Sequence, residues 1–229
     1  MNIKKILLSA VCILAVAGIS VMGTLAYLTD STAVVNTFTM GNVDIKLDEA
    51  VVDANGVADA SGKRTEEGNK YKLIPGKTYT KDPTVTVVKG SEESYVRMLV
   101  TFNKLAELDE VFAPTGADLI SIFKDYDAST WSLAGETEDA AANTITYEFR
   151  YKEVVGAPTD DVVLPALFTS FTVPGVLDGD DLKKINGDNP DDPFKITVVG
   201  HAIQAEGFAD ADTAWEAFVE PTTGNTTNP

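Results

Sequence analysis

Apolar and polar residues alternate along much of this chain, which is the pattern of β-strands that bury one face and expose the other to water. The clearest alternation covers residues 143–152, and a second covers residues 94–102. Further strands are predicted at 84–88, 167–173 and 194–205. The last of these is apolar on both faces near its middle, which is typical of a central strand.

The alternation changes phase within residues 34–47. The first apolar residues stand at even positions, and they are Val34, Phe38 and Met40. The next stand at odd positions, and they are Val43, Ile45 and Leu47. Because a slip of one residue turns every side chain to the wrong face, a bulge or kink is predicted at Gly41-Asn42, between the two sets.

Turn residues separate the strands. Pro75-Gly76 has the chemistry of a type II turn, because proline fixes the first corner and glycine accepts the positive φ of the second. Residues 48–70 are rich in Gly, Asp, Glu and Lys and are predicted to form a long loop. Residues 178–193 carry further turn signals.

Two short helices are predicted. Thr115 and Asp118 have the spacing of a capping box that opens the first helix, and its apolar side consists of Leu119, Ile120 and Phe123. The second helix begins near Asp210 or Asp212 and ends before Pro221. The residues on its buried stripe are Ala211, Ala214, Trp215 and Phe218.

Together these elements indicate a mainly β protein. Roughly seven to nine strands at turn spacings, without alternation of strands and helices, favour an antiparallel β-sandwich covered by the two helices. One domain is expected, with residues 48–220 as the sandwich. Residues 221–229 are predicted to be a disordered polar tail.

The N-terminus is organised like an export signal. Lys4 and Lys5 precede an apolar run over residues 6–22, and small residues follow within 23–26. Residues 1–26 are therefore predicted to be a signal peptide, and the cleavage-site residues are Thr24, Ala26 and Tyr27. The alternative is a retained membrane anchor, since about 17 apolar residues are the lower limit for spanning a bilayer.

The net charge limits which partners the protein can bind, and the cysteine count limits how the fold can be stabilised. The chain has a net charge of −17, and loss of residues 1–26 removes Lys4 and Lys5 but no acid, which leaves −19. A basic face is needed to bind nucleic acid or an anionic membrane, so the charge argues against both, and a membrane is expected only around the precursor. The only cysteine is Cys12, so the mature protein has no disulfide.

Residue types that carry most catalysis are scarce. His201 is the only histidine, whereas a zinc hydrolase needs at least three protein ligands and a Ser or Cys nucleophile needs a base. It lies within an apolar strand, where a structural histidine is expected. No glycine-rich phosphate loop is present. We therefore expect no enzyme activity and no cofactor.

Aspartates within 178–193 offer oxygen ligands of the kind that calcium prefers. They are Asp178, Asp180, Asp181, Asp188, Asp191 and Asp192. Their spacing does not match an EF-hand loop. A solvated acidic turn is therefore the favoured interpretation, and a calcium site is the alternative.

Several stretches resemble a known family. Residues 23–30 (GTLAYLTD) and 36–43 (NTFTMGNV) are similar to the start of the TasA and camelysin family. Residues 73–77 (LIPGK), with Lys81, resemble the family's Leu-x-Pro-Gly turn and the lysine entering its next strand. A weaker similarity covers residues 202–208 and Ala214-Trp215.

The resemblance implies a jelly-roll sandwich that is secreted into the extracellular matrix of a Gram-positive biofilm after cleavage by a SipW-type signal peptidase. In that family fibres grow when the N-terminal strand of one subunit enters the sheet of its neighbour. The implied partners are the peptidase and further copies of this chain or related matrix subunits. Within the donor segment 27–47, the assembly residues are Tyr27, Leu28, Thr29, Asp30, Val34, Val35, Phe38 and Met40.

Other interpretations stay open. Residues 34–47 could pair within their own domain instead of entering a neighbour. A secreted surface adhesin or glycan-binding module also fits a sandwich with acidic loops. Camelysin itself is classed as a metallopeptidase, which is the third and least favoured function.

Overall fold

The computed structural model describes residues 43–115, 119–123, 126–186 and 193–219, together with the backbone of residues 29–32. In these residues the fold is mainly β, with antiparallel strand pairs throughout and three α-helices, which confirms the predicted class. The strands are β1 (Thr29–Thr32), β2 (Ile45–Ala50), β3 (Arg64–Thr65), β4 (Thr78–Thr80), β5 (Thr84–Val87), β6 (Ser94–Asn103), β7 (Trp131–Asp139), β8 (Thr144–Tyr151), β9 (Val162–Val163), β10 (Ser170–Thr172) and β11 (Ile196–Gln204). The helices are α1 (Leu105–Phe112), α2 (Gly179–Asn186) and α3 (Ala211–Ala217).

The strands form two main sheets. The larger has the order β1-β11-β6-β8-β7, and the smaller has the order β3-β2-β5-β9. β10 and β4 form a separate pair. Strands that follow one another in the chain often lie in different sheets, so the chain crosses repeatedly between the layers.

Both main sheets face one apolar core. Its largest members alternate along the strands, as the period of two requires: Val96, Met98, Val100 and Phe102 in β6, Ile145, Tyr147 and Phe149 in β8, Ile45 and Leu47 in β2, and Val85 and Val87 in β5. Two sheets packed over a shared core make a β-sandwich. The jelly-roll connectivity stays a prediction.

Some strand boundaries differ from the prediction. β2 continues to Ala50 and pairs with β3, so the predicted loop 48–70 is partly sheet. β10 covers only three residues of the strand predicted at 167–173. β7 has no alternation for a pattern to detect, because all its residues after Ser132 are exposed.

The first predicted helix is shorter than expected and is of the 3₁₀ type. Leu119–Ile122 is a single 3₁₀ turn, and residues 116–118 lie outside the described residues. The helix in this region is α1, which begins earlier. Its first backbone N–H groups, those of Leu105 and Ala106, donate to the carbonyl and side-chain oxygens of Asn143 in the β7–β8 turn. A cap supplied from so far along the chain leaves no local signal.

Of the other two helices, α3 was predicted from the sequence and α2 was not. α3 begins after Asp210, whose carboxylate accepts a hydrogen bond from the Thr213 backbone N–H at 2.9 Å, and it buries Ala214 and Trp215 as predicted. α2 occupies part of the predicted turn region 178–193. Most of its residues are polar and only Ile185 is buried. The sequence therefore shows no apolar face by which a helix could be recognised.

The loop between β2 and β4 packs back onto the sheets. The Arg64 guanidinium donates to Asp48 at 2.6 Å and to Asp82 at 2.7 Å. Gly56 has φ of +71°, and a Cβ built there would lie 2.4 Å from the Tyr79 ring. The turn therefore requires glycine for two reasons: the positive φ, and the close approach of the Tyr79 ring, which leaves no room for a Cβ.

Candidate assembly edge and polar clusters

The edge of the larger sheet is formed by β1, which pairs with β11 of the same chain. The ladder joins Thr29 to Ile203, Asp30 to Ala202, Ser31 to His201 and Thr32 to Gly200. The next strand, β2, belongs to the other sheet. Removal of β1 would leave the backbone groups of β11 along residues 200–203 as an open sheet edge.

Helix α3 covers one face of β11. Ile203, Ala214 and Trp215 form an apolar cluster apart from the main core. The Arg97 guanidinium lies over the rings of Trp215 and Phe218, with its Cζ 4.5 and 4.6 Å from the two centroids. Such cation–π contacts hold the helix against β6 and β11.

An ionic network extends this contact across the sheet. Arg97 Nη1 lies 3.4 Å from a carboxylate oxygen of Glu148. Arg150 contacts both Glu148 and Asp212, the latter on α3. Through Asp212 the network reaches from β8 to α3, but the Asp212 side chain is 83% exposed, so this ion pair contributes little to holding the helix.

His201 is enclosed by the same cluster. It is 1% exposed, its ring stacks on Phe218 with centroids 4.7 Å apart, and its Nδ1 accepts a hydrogen bond from Arg97. Burial, followed by the charge of Arg97, lowers the pKa of His201 to about 3. The histidine is buried, as its place in an apolar strand predicts, and the imidazole is neutral and enclosed.

The opposite edge of the larger sheet is β7. Its ladder with β8 has a register shift between Leu133 and Gly135. Beyond the shift it exposes Glu136, Glu138 and Asp139. Bulges and charges are the devices by which exposed strands avoid pairing with other chains.

Most residues predicted for export and assembly lie outside the described residues. They are the cleavage-site residues Thr24, Ala26 and Tyr27 and the assembly residues Leu28, Val34, Val35, Phe38 and Met40, together with the bulge predicted at Gly41-Asn42. Of the assembly strand, Thr29 and Asp30 are described, and both lie in β1. Residues 45–50 pair with β3 and β5, so this end of the donor segment belongs to its own domain.

Of the aspartates considered for calcium binding, some lie within the described residues and some outside them. Asp188, Asp191 and Asp192 lie outside the described residues. Asp178 and Asp181 cap the start of α2. Oδ1 of Asp178 accepts hydrogen bonds from the backbone N–H groups of Asp181 and Asp180, which lower the pKa of Asp178, and Oδ2 of Asp181 accepts one from the Asp178 N–H. Within the described ranges no group of three or more His, Cys, Asp or Glu residues could hold a metal ion.

Sequence reasoning missed a polar cluster at the β2–β4 loop, formed by the buried side chains of Glu49 and Lys81 and the partly buried Asn69. Lys81 Nζ lies 2.6 Å from Glu49 Oε2, and Asn69 Nδ2 donates to Glu49 Oε1 at 2.8 Å. A signal existed, because Glu49 follows Ile45 and Leu47 on the inward parity of β2. An acid at that position indicates a buried cationic partner.

Comparison with family models, with curated proteins and with solved structures finds no match to this chain. Among the described residues, no helix is both long and apolar enough to cross a membrane.

Proposed function

We propose that this chain is a secreted structural subunit of an extracellular matrix that assembles by exchanging its N-terminal strand after signal-peptide cleavage. The observation that carries the proposal is the placement of β1 at the edge of the larger sheet, on β11, while β2 lies in the other sheet. The similarity of residues 23–30 and 36–43 to the TasA and camelysin family adds to it.

Exchange conserves the backbone hydrogen bonds of the edge. The β1–β11 ladder is made between backbone groups, and these bond equally well whether β1 belongs to the same chain or to a neighbour. The 12 residues between β1 and β2, 33–44, span at most about 40 Å when extended, which is enough to reach an adjacent subunit. The expected partners are therefore further copies of the chain or related matrix subunits. The resemblance to the TasA and camelysin family adds a SipW-type signal peptidase.

Sedimentation of the mature protein tests this function. We expect protein starting at Tyr27 to form pelletable fibres, and protein lacking residues 27–32 to stay in the supernatant. If both forms remain soluble monomers, strand exchange is wrong and the adhesin interpretation gains. Chelator-sensitive cleavage of casein would instead support the peptidase interpretation.

A pair of single-cysteine variants tests the exchange itself. Asp30→Cys and Ala202→Cys place thiols on opposed residues of the ladder, where Cα atoms lie about 4.5–5.5 Å apart and a disulfide can form. Mixing the two mature variants before oxidation should give a disulfide-linked dimer of unlike chains. The control mixes Asp30→Cys with Val163→Cys, since Val163 is 66% exposed and lies on β9, in the other sheet. Equal yields from both mixtures would contradict exchange.

A further inference from the structure

The Glu49 carboxylate bridges a lysine and an asparagine. Its Oε2 lies 2.6 Å from Lys81 Nζ, and its Oε1 accepts a hydrogen bond of 2.8 Å from Asn69 Nδ2. A primary amine and a primary carboxamide are thus held on the two oxygens of one acid. These are the two functional groups that condense to an amide when ammonia leaves.

Two of the three groups are buried, whereas Asn69 lies in the loop and is partly exposed. Lys81 is 7% exposed and Glu49 is 6% exposed. Tyr71 closes one side, packing edge-on against Tyr79 and Phe171. Burial, followed by the charge of Glu49, raises the pKa of Tyr71, so its hydroxyl stays protonated and donates to the Thr80 carbonyl.

The Asn69 amide is held in one orientation. Its Oδ1 accepts from the Val52 backbone N–H at 2.9 Å, and its Nδ2 also donates to the Ala50 carbonyl at 2.8 Å. The N–H of Val52 withdraws electron density from the amide carbonyl. It is also placed to stabilise the negative charge that an attacking nucleophile would create on Oδ1.

We propose that Lys81 and Asn69 join in an intramolecular isopeptide bond, with Glu49 as the catalytic residue that carries the proton. In the first step Glu49 Oε2, which lies 2.6 Å from Lys81 Nζ, accepts one proton from the ammonium. The lone pair so released on Nζ attacks Cγ of Asn69. Close placement of the groups replaces an encounter in solution.

The bonds and protons balance. The Nζ–Cγ bond forms and the Cγ–Nδ2 bond breaks, and Nδ2 leaves as ammonium with the proton held by Glu49 and one more proton from Nζ. A lysine ammonium and a carboxamide become a secondary amide and free ammonium. Glu49 is again a carboxylate, and no atom is oxidised or reduced.

The bond would brace a chain whose only cysteine is Cys12. It would close the segment from Asn69 to Lys81, which contains the Pro75-Gly76 turn and all of β4. Closing a loop covalently lowers the entropy of the unfolded chain, as a disulfide does. The inference concerns the interior of one chain and does not depend on assembly.

Peptide mapping of the full chain, purified from the cells that express it, tests the bond. Trypsin cuts unmodified protein after Arg64, Lys70, Lys77 and Lys81, and it releases residues 65–70 and 78–81 separately. With the bond in place, residues 65–70 are joined to residues 78–89, because Lys81 is no longer a cleavage site. The joined product should be one ammonia lighter than the sum of its parts.

Two alternatives would overturn the inference. Separate peptides 65–70 and 78–81 of ordinary mass mean that no bond forms. Peptide 65–70 that has lost ammonia but is not joined to another peptide means that Asn69 has cyclised on its own backbone. In either case Lys81 and Glu49 form only an ion pair.

Variants separate the roles of the three residues. Glu49→Gln keeps the size of the side chain but removes the proton carrier, so we expect the separate peptides in place of the joined one. Lys77→Arg, on the same turn, should leave the joined product and its mass unchanged, because trypsin releases residue 77 in the separate peptide 73–77. Joined peptides in Glu49→Gln would show that Glu49 does not carry the proton, and would overturn that part of the inference.

Discussion

The Nε atom of Arg97 donates a hydrogen bond of 3.2 Å to Nδ1 of His201, across the paired strands β6 and β11. This bond places the imidazole proton on Nε2 and keeps the ring neutral beside a cation. Protonation of His201 would remove the acceptor and bring two positive charges together in a buried place.

A pH dependence of stability follows. The pKa of His201 is about 3 in the folded protein and about 6.5 in the unfolded chain, so the unfolded state binds more protons between these values. The folded state is stabilised relative to the unfolded state as long as His201 is neutral in both. This stabilisation is complete above pH 6.5 and is lost as the pH falls towards 3. We expect the free energy of unfolding to fall by roughly 2 kcal/mol between pH 7 and pH 5.

Urea unfolding at both pH values measures this loss, with His201→Gln as the control. We expect the variant to be less stable at both pH values, but its free energy of unfolding should change much less between pH 7 and pH 5. The chain has a single histidine, so few other side chains titrate in that interval. Equal losses in the two proteins would contradict the assignment to His201.

Glycine is required more strictly at position 56 than at position 62. Both residues have positive φ, but a Cβ on Gly56 would meet Tyr79 at 2.4 Å, whereas one on Gly62 has nothing within 4 Å. Gly62→Ala should cost about 1–2 kcal/mol for the backbone alone. Gly56→Ala should cost a further 1–3 kcal/mol or so, because the Tyr79 ring must move. Equal unfolding free energies for the two variants would rule out the contact with Tyr79 as the cause.

The cap of α3 contributes more than the exposed ion pair on the same helix. Asp210→Ala removes the acceptor for the Thr213 N–H and should cost about 1 kcal/mol in urea unfolding. Asp212→Ala removes the contact with Arg150, but the Asp212 side chain is 83% exposed, so a smaller loss is expected. A larger loss in Asp212→Ala would show that the ionic network, not the cap, holds α3.

Salt should promote assembly of the mature chain. Subunits with a net charge of −19 repel one another, and this repulsion is screened beyond about 8 Å at physiological ionic strength. We expect the pelleted fraction to rise with sodium chloride and with falling pH, as carboxylates lose their charge. A pelleted fraction that is the same at all salt concentrations would argue against repulsion as the barrier.

The sequence was informative where the signal is local. β5, β6, β8 and β11 were predicted because each alternates against a shared core, and α3 because its cap and stripe are adjacent in the chain. α1 was missed because Asn143 caps it from another part of the fold. Parity could have identified Glu49 as buried, but its contacts with Asn69 and Lys81 depend on the path of the intervening loop.

The register shift and the acidic residues of β7 make this edge of the larger sheet different from the opposite edge, which is formed by β1. One edge ends in the strand β1, and the other has the bulge and the charges that discourage a strand from joining. In a filament built by the proposed exchange of β1, each subunit would receive a strand at its β11 edge and not at β7. Such a filament would have two unlike ends, one with an open β11 edge and one with an unpaired donor strand.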